Sequence, residues 1–163
     1  MSMIGRLLRV TNSELEDYLK DSSLLEDRIY SNEEDPNSID IDKAWDGIVY
    51  LLTGDSVASS EHPLVQVLFS GQLIDEDQDL GYGPAHYLTP EQVDVLNNEI
   101  AGINIERLKQ KFDPIRMTEL GIYPEIWEEG DEAFDYLNPF FFNLQQFYTL
   151  AAKNGEAIIT FLN

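Results

Sequence analysis

Apolar positions along this chain change their period several times, and each change marks an element. From Met3 to Val10, the residues Ile4, Leu7, Leu8 and Val10 make a short apolar run that predicts a strand. Thr11, Asn12 or Ser13 then caps a helix, with Ser13-x-x-Glu16 at the spacing of a capping box. Leu15, Tyr18 and Leu19 share the apolar face of that helix. A second short helical run, "SSLLEDRIY", follows. Ser31 to Asp42 is polar, acidic and contains proline, which predicts a loop.

The stretch "AWDGIVYLLTG", Ala44 to Gly54, sets two signals against each other. Asp-Gly is a strong hairpin signal. Yet Ile41, Ala44, Trp45, Ile48, Leu51 and Leu52 keep helical spacing straight through Asp46-Gly47, and neither flank alternates. The pattern predicts a helix over 41–52, with Asp40 or Asp42 serving its N-terminus and Gly54 ending it in the left-handed region. Glycine inside a helix costs about 1 kcal/mol relative to alanine. Close approach by another backbone is the expected compensation at Gly47, and Trp45 is the expected core anchor.

Further on, "EHPLVQVLFSG" predicts a short helix with Pro63 in its first turn and Gly71 as its end. "AHYL" is a candidate strand. Thr89, Pro90 and Gln92 then form the clearest helix start in the chain, and Val93, Leu96, Ile100 and Ile103 continue its apolar face. Asn104 caps "IERLKQKF". The stretch from Asp113 to Phe134 is broken by Pro114, Gly121 and Pro124 into short pieces. Asn138 and Pro139 are expected to open a long aromatic helix ending at Gly155, and "AIITFL" reads as a last strand. The result is an α+β fold: a mostly helical single domain over 1–163, with a small sheet that includes the N-terminal and C-terminal strands.

Charge changes the functional picture more than the fold. The chain carries 10 Lys and Arg against 31 Asp and Glu, a net of −21. Such a field repels nucleic acid and anionic membranes, since both are bound through Lys and Arg. From Ala44 to Glu106 there is no Lys or Arg, and four basic residues cluster between Arg107 and Arg116. A negative coat keeps copies apart in solution, and it also offers a face to a basic partner. The chain has no cysteine, no apolar run long enough to span a bilayer and no secretory leader at its start, so a cytoplasmic location is expected.

Candidate chemistry is sparse. His62 and His86 are the only histidines, 23 residues lie between them, and no recognised metal-ligand spacing includes either. "DEDQDLG" starts like a calcium loop, but its glycine falls one place late and His86 stands where a bidentate glutamate belongs. Ser59-Ser60-Glu61-His62 lacks a nucleophile elbow. "GYGPAHY" remains, with glycines that let a backbone approach closely and polar-tipped rings beside them. A candidate pocket therefore comprises Trp45, Asp46, Tyr82, Gly83, His86 and Tyr87, with Asp46 or His86 as acid or base. No metal or cofactor is expected.

"DKAWDGIVYLLTG", "GYGPAHYLTPEQV" and the closing aromatic helix followed by "AIITFL" together resemble the YfbM-like family of bacterial proteins, classed as a domain of unknown function. The resemblance spans nearly the whole chain and implies one cytosolic domain of mixed α and β structure. It brings no activity, cofactor or catalytic residue. The expectation is a non-catalytic protein that engages a basic protein partner, as an inhibitor, immunity-type protein or regulator. The alternative is a small-molecule binder or enzyme at the candidate pocket. The aromatic helix, Phe140 to Tyr148, is also a candidate homodimer surface.

Overall fold

The computed structural model describes residues 2–163. Among them are seven α-helices and one four-stranded antiparallel sheet, an α+β architecture. The strands β1 (Gly5–Val10), β2 (Ser38–Asp40), β3 (His86–Leu88) and β4 (Ala157–Leu162) lie in the order β2-β1-β4-β3. The two central strands come from opposite ends of the chain, paired from Gly5↔Leu162 to Val10↔Ala157. Alternation along them divides the interior in two. Leu7, Leu88 and Ile158 face a large core with the helices α3 (Trp45–Thr53), α4 (Pro90–Ile100) and α7 (Asp131–Asn154). Leu8, Val10, Ile159 and Phe161 face a smaller core closed by α1 (Asn12–Lys20), α2 (Ser23–Ile29) and the loop residues Ile74, Leu80 and Ala85.

Several expectations need correction at their edges. The capping box of α1 is Thr11-x-x-Glu14, not Ser13-x-x-Glu16. Thr11 Oγ1 accepts the Glu14 N–H at 3.1 Å and Glu14 Oε1 accepts the Thr11 N–H at 2.9 Å. Both spacings fit the motif, and the end of β1 at Val10 makes Thr11 the first residue free to cap. The loop over 31–42 contains the edge strand β2, which pairs through its backbone without an apolar pattern of its own.

The helix expected over 41–52 starts later, at Trp45. Asp40 and Asp42 do not cap it. Asp40 Oδ1 closes a turn onto the Asp42 N–H (2.7 Å), and Asp42 accepts the Tyr136 hydroxyl (2.7 Å). Gly54 ends the helix at φ 83 as expected. The helix is buried on all sides from Trp45 to Leu51, beyond the single stripe that the spacing suggests.

Gly47 compensates for its cost, but through side chains rather than a backbone. A Cβ there would stand 2.8 Å from both Leu137 Cδ2 and Trp127 Cη2. The neighbouring indole, Trp45, is buried as expected and donates Nε1–H to the Met3 carbonyl at 2.9 Å.

The last helix corrects the sequence most. It opens at Asp131 and runs to Asn154 with Pro139 in its interior. Proline there removes one i→i−4 hydrogen bond, the one that the Asp135 carbonyl would accept. Ala133, Phe134 and Leu137 before it and Phe141 and Leu144 after it are all buried, so tertiary packing holds the helix through the gap. Pro63–Val67 is a 3-10 turn that stops before Gly71, and α5 (Ile105–Lys111) and α6 (Pro114–Glu119) are short, as their sequence predicts. Among the described residues, no helix is long and apolar enough to cross a membrane.

Alanine at Gly47 is expected to destabilise the protein. Overpacking costs about 1–3 kcal/mol, more than the ~1 kcal/mol of helix propensity that alanine adds. Gly102→Ala, where a Cβ meets nothing within 4 Å, is the control and should be neutral or slightly stabilising in urea unfolding. Equal stability of Gly47→Ala and wild type would refute this account of the packing.

Candidate functional site

The six residues read as a pocket are placed in four environments. Trp45 and His86 are linked through Phe69. The Trp45 ring meets Phe69 edge-on at 5.8 Å, and Phe69 meets His86 edge-on at 5.4 Å. His86 Nδ1 accepts the Gly71 N–H at 3.1 Å, which makes the neutral imidazole the bonded form. Burial pushes its pKa below the ordinary histidine value, and protonation at Nδ1 would also break that bond.

Asp46 lies next to Trp45 and both of its oxygens hold backbone N–H groups. Its Oδ1 accepts the Val57 N–H at 2.8 Å and its Oδ2 accepts the Tyr123 N–H at 3.0 Å. Burial pushes the carboxyl pKa up and Asp55 adds to this, against the two backbone bonds that stabilise the anion. The carboxylate thus clasps α3 to two loops, each of its oxygens holding one backbone N–H.

Tyr87 points to the opposite face of the sheet, against the smaller core. Tyr82 is 37% exposed, and its N–H bonds to the Leu162 carbonyl at 3.3 Å. Gly83 adopts φ 97 and donates its N–H to Asp79 Oδ1 at 3.2 Å, so it serves a turn. The close backbone approach in this segment is at Gly81, where a Cβ would sit 3.1 Å from Asn163 Cα. "GYGP" is therefore a tight turn laid on Leu162 and Asn163, and it leads into β3 at His86. Asp75 and Asp79 of the acidic loop before it are likewise spent on Ser22, Asp77, Gly81 and Gly83. Among the described residues, no group of three or more His, Asp or Glu is placed to hold a metal ion.

Open surface concavities lie elsewhere. One, of about 330 Å³, is lined by Arg6 and Arg28. Both guanidinium groups are already paired, Arg6 with Asp40 and Arg28 with Glu14 and Asp35. A second, of about 480 Å³, runs between the 3-10 turn and α4. Its apolar lining comes from Pro63, Leu64, Val95 and Leu96, and Glu91 and Glu99 edge it. Val95 is 61% exposed. Glu91, Val95 and Glu99 fall at i, i+4 and i+8, one exposed row along α4.

Sequence reasoning missed this groove. A signal for it was present, because Val95 is out of phase with the buried stripe of Val93, Leu96 and Ile100. A third groove, of about 520 Å³ between α5 and α7, has no charged residue in its lining and is flanked by Ile105 and Phe142. Those two are 50% and 58% exposed. Most of the aromatic stripe on α7 is core: Phe141, Leu144, Phe147, Tyr148 and Ala151 are buried, and Phe142 alone stands well out.

Comparison with known proteins follows this geometry. The family described as Domain of unknown function (DUF1877) matches residues 1–161. The solved structure of YfbM from Escherichia coli, described as a protein of unknown function, is similar over 99% of this chain and 100% of that one. The TM-score is 0.79 at 19% sequence identity, a likeness of fold. No curated protein matches the chain.

Two outcomes test the structural roles. Asp46→Ala orphans two backbone N–H groups and should cost about 2–5 kcal/mol in urea unfolding, with Asp46→Asn in between. A wild-type stability for Asp46→Ala would show that Val57 and Tyr123 do not depend on it. For His86 the folded pKa lies below the unfolded value of about 6.5. Its contribution to stability is therefore complete above that value and is lost as pH falls through the folded pKa. Replacing His86 with asparagine should flatten that part of the stability–pH curve, and an unchanged slope would contradict the assignment.

Proposed function

This chain belongs to the DUF1877 family, a domain of unknown function, and we propose from its own surface that it is a non-catalytic docking protein for a basic protein partner in the cytoplasm. One observation carries the reading. The segment without any Lys or Arg, Ala44 to Glu106, also builds the open apolar groove edged by Glu91 and Glu99. Apolar contact in the groove supplies affinity, and the surrounding carboxylates supply attraction and exclude acidic competitors. The polar groups of the catalytic alternative support it less, because Asp46 and His86 each hold backbone N–H groups inside the fold.

Association with a small folded basic protein, followed by stopped flow, should slow steeply as salt shortens the Debye length from about 10 Å at 0.1 M towards 3 Å at 1 M. Reversing Glu61 and Asp94 should slow it more than reversing Glu33 and Glu34, which lie outside the cation-free segment. Rates insensitive to salt, or equally sensitive to both pairs, would contradict the reading.

A second reading concerns self-association, and the charge-free groove beside Phe142 favours it. Two chains of net charge −21 repel each other over most of their surfaces. The groove between α5 and α7 presents no charge, and α5, which forms one of its walls, also carries Arg107, Lys109 and Lys111, which would attract the acidic coat of a second copy. We propose a homodimer through this surface. Sedimentation equilibrium should show a dimer that Phe142→Glu converts to monomer and Val95→Glu leaves intact. A monomer at all concentrations, or a dimer indifferent to Phe142→Glu, would exclude it.

A further inference from the structure

We propose that the occupant of the groove between the Pro63–Val67 turn and α4 is an amphipathic helix of the basic partner, a proposal that rests on the docking reading above. The walls of the groove decide the shape of what can enter. Both are helical, so their backbone N–H and C=O groups are bonded within the elements and offer no ladder to an extended strand. Side-chain contact is what remains, and a helix presents side chains to an apolar trough at i, i+3, i+4 and i+7.

Charge decides its composition. Glu91 and Glu99 lie two turns apart on α4, about 12 Å along the axis, with Val95 midway. A helix laid along α4 meets this row with one basic residue at each end and apolar residues between them. The partner motif is thus a Lys or Arg, an apolar pair three and four residues later, and a second Lys or Arg seven or eight residues after the first. Its apolar pair covers Val95 and reaches Leu64 and Leu96 on the floor. Nucleic acid and anionic lipid are disfavoured by the glutamates and by the absence of any Lys or Arg in the segment that builds the groove.

The test uses the full chain and a synthetic helical peptide carrying this motif with leucine as the apolar residue and lysine as the base. A peptide of the same composition in scrambled order and one with glutamate in place of lysine are the comparators. Titration by fluorescence anisotropy should give binding to the motif peptide, at least about tenfold weaker binding to the scrambled one, and none to the acidic one. Val95→Glu is the decisive variant. It adds a negative charge, so attraction of a general kind would strengthen, whereas an apolar seat is destroyed and binding should fall about tenfold or more.

Circular dichroism and urea unfolding verify that Val95→Glu is folded, which its exposed position favours. If the motif peptide and its scramble bind equally, or if Val95→Glu binds as well as wild type, this groove is not the seat, while the docking reading stands on other carboxylates. If neither lysine peptide binds at low salt, both fail.

Discussion

The first turn of α3 and the segment 122–127 hold one another through three consecutive residues, and the large core is organised around that contact. The Trp45 ring stacks on Tyr123 at 5.2 Å. Asp46 accepts the Tyr123 N–H, and Gly47 leaves the room that Trp127 and Leu137 fill. Trp127 is itself fixed by its Nε1–H donated to the Ile122 carbonyl at 2.7 Å. Because Leu137 belongs to α7, the absence of a side chain at Gly47 sets how closely the longest helix approaches α3. The N-terminal segment is drawn into the same knot, since Met3 accepts from Trp45 and donates its N–H to the Tyr123 hydroxyl at 3.0 Å. Pairing of β1 with β4 then carries the constraint to the C-terminus.

This arrangement has a functional consequence. The polar groups that resemble catalytic machinery in the sequence are the ones that hold the knot and its neighbours together. A buried carboxylate that accepts two backbone N–H groups is costly to remove and poorly placed to exchange a proton with a ligand. On the other edge of the large core Arg9 is buried, paired with Glu156 at 2.8 Å and donating a hydrogen bond to Asn37 Oδ1 at 3.0 Å. Among the described residues, the surface includes two apolar grooves in very different electrostatic settings. One is edged by glutamates within the cation-free segment, and the other lies beside the cluster of basic residues on α5.

Much of the fold was legible where local chemistry and packing agree. Thr89-Pro90-x-Gln92 starts α4 as its motif requires, with Thr89 Oγ1 accepting the Gln92 N–H, and Gly54 and Gly155 end their helices in the left-handed region. Local reasoning failed where distant contacts overrule it. Pro139 looks like a helix start, yet burial on both sides of it carries α7 through. Strand β2 has no apolar signature because an edge strand needs only a backbone partner. The candidate pocket residues are dispersed for a related reason. Tyr87 and His86 are adjacent in sequence but lie on opposite faces of the sheet, a property of strand geometry that a list of chemically promising residues ignores. The glutamate-edged groove was readable only as an out-of-phase valine, and its second wall comes from a turn that sequence spacing does not connect to α4.

The most direct test of the Trp45–Asp46–Gly47 contact is native-state hydrogen exchange at the amides of Val57 and Tyr123. Both lie in loops, where exchange through small local openings is the ordinary behaviour. The account predicts that they exchange with the same free energy and denaturant dependence as the amides of α3, in the global unfolding step. Fast exchange at these two amides, independent of denaturant while α3 remains protected, would contradict it.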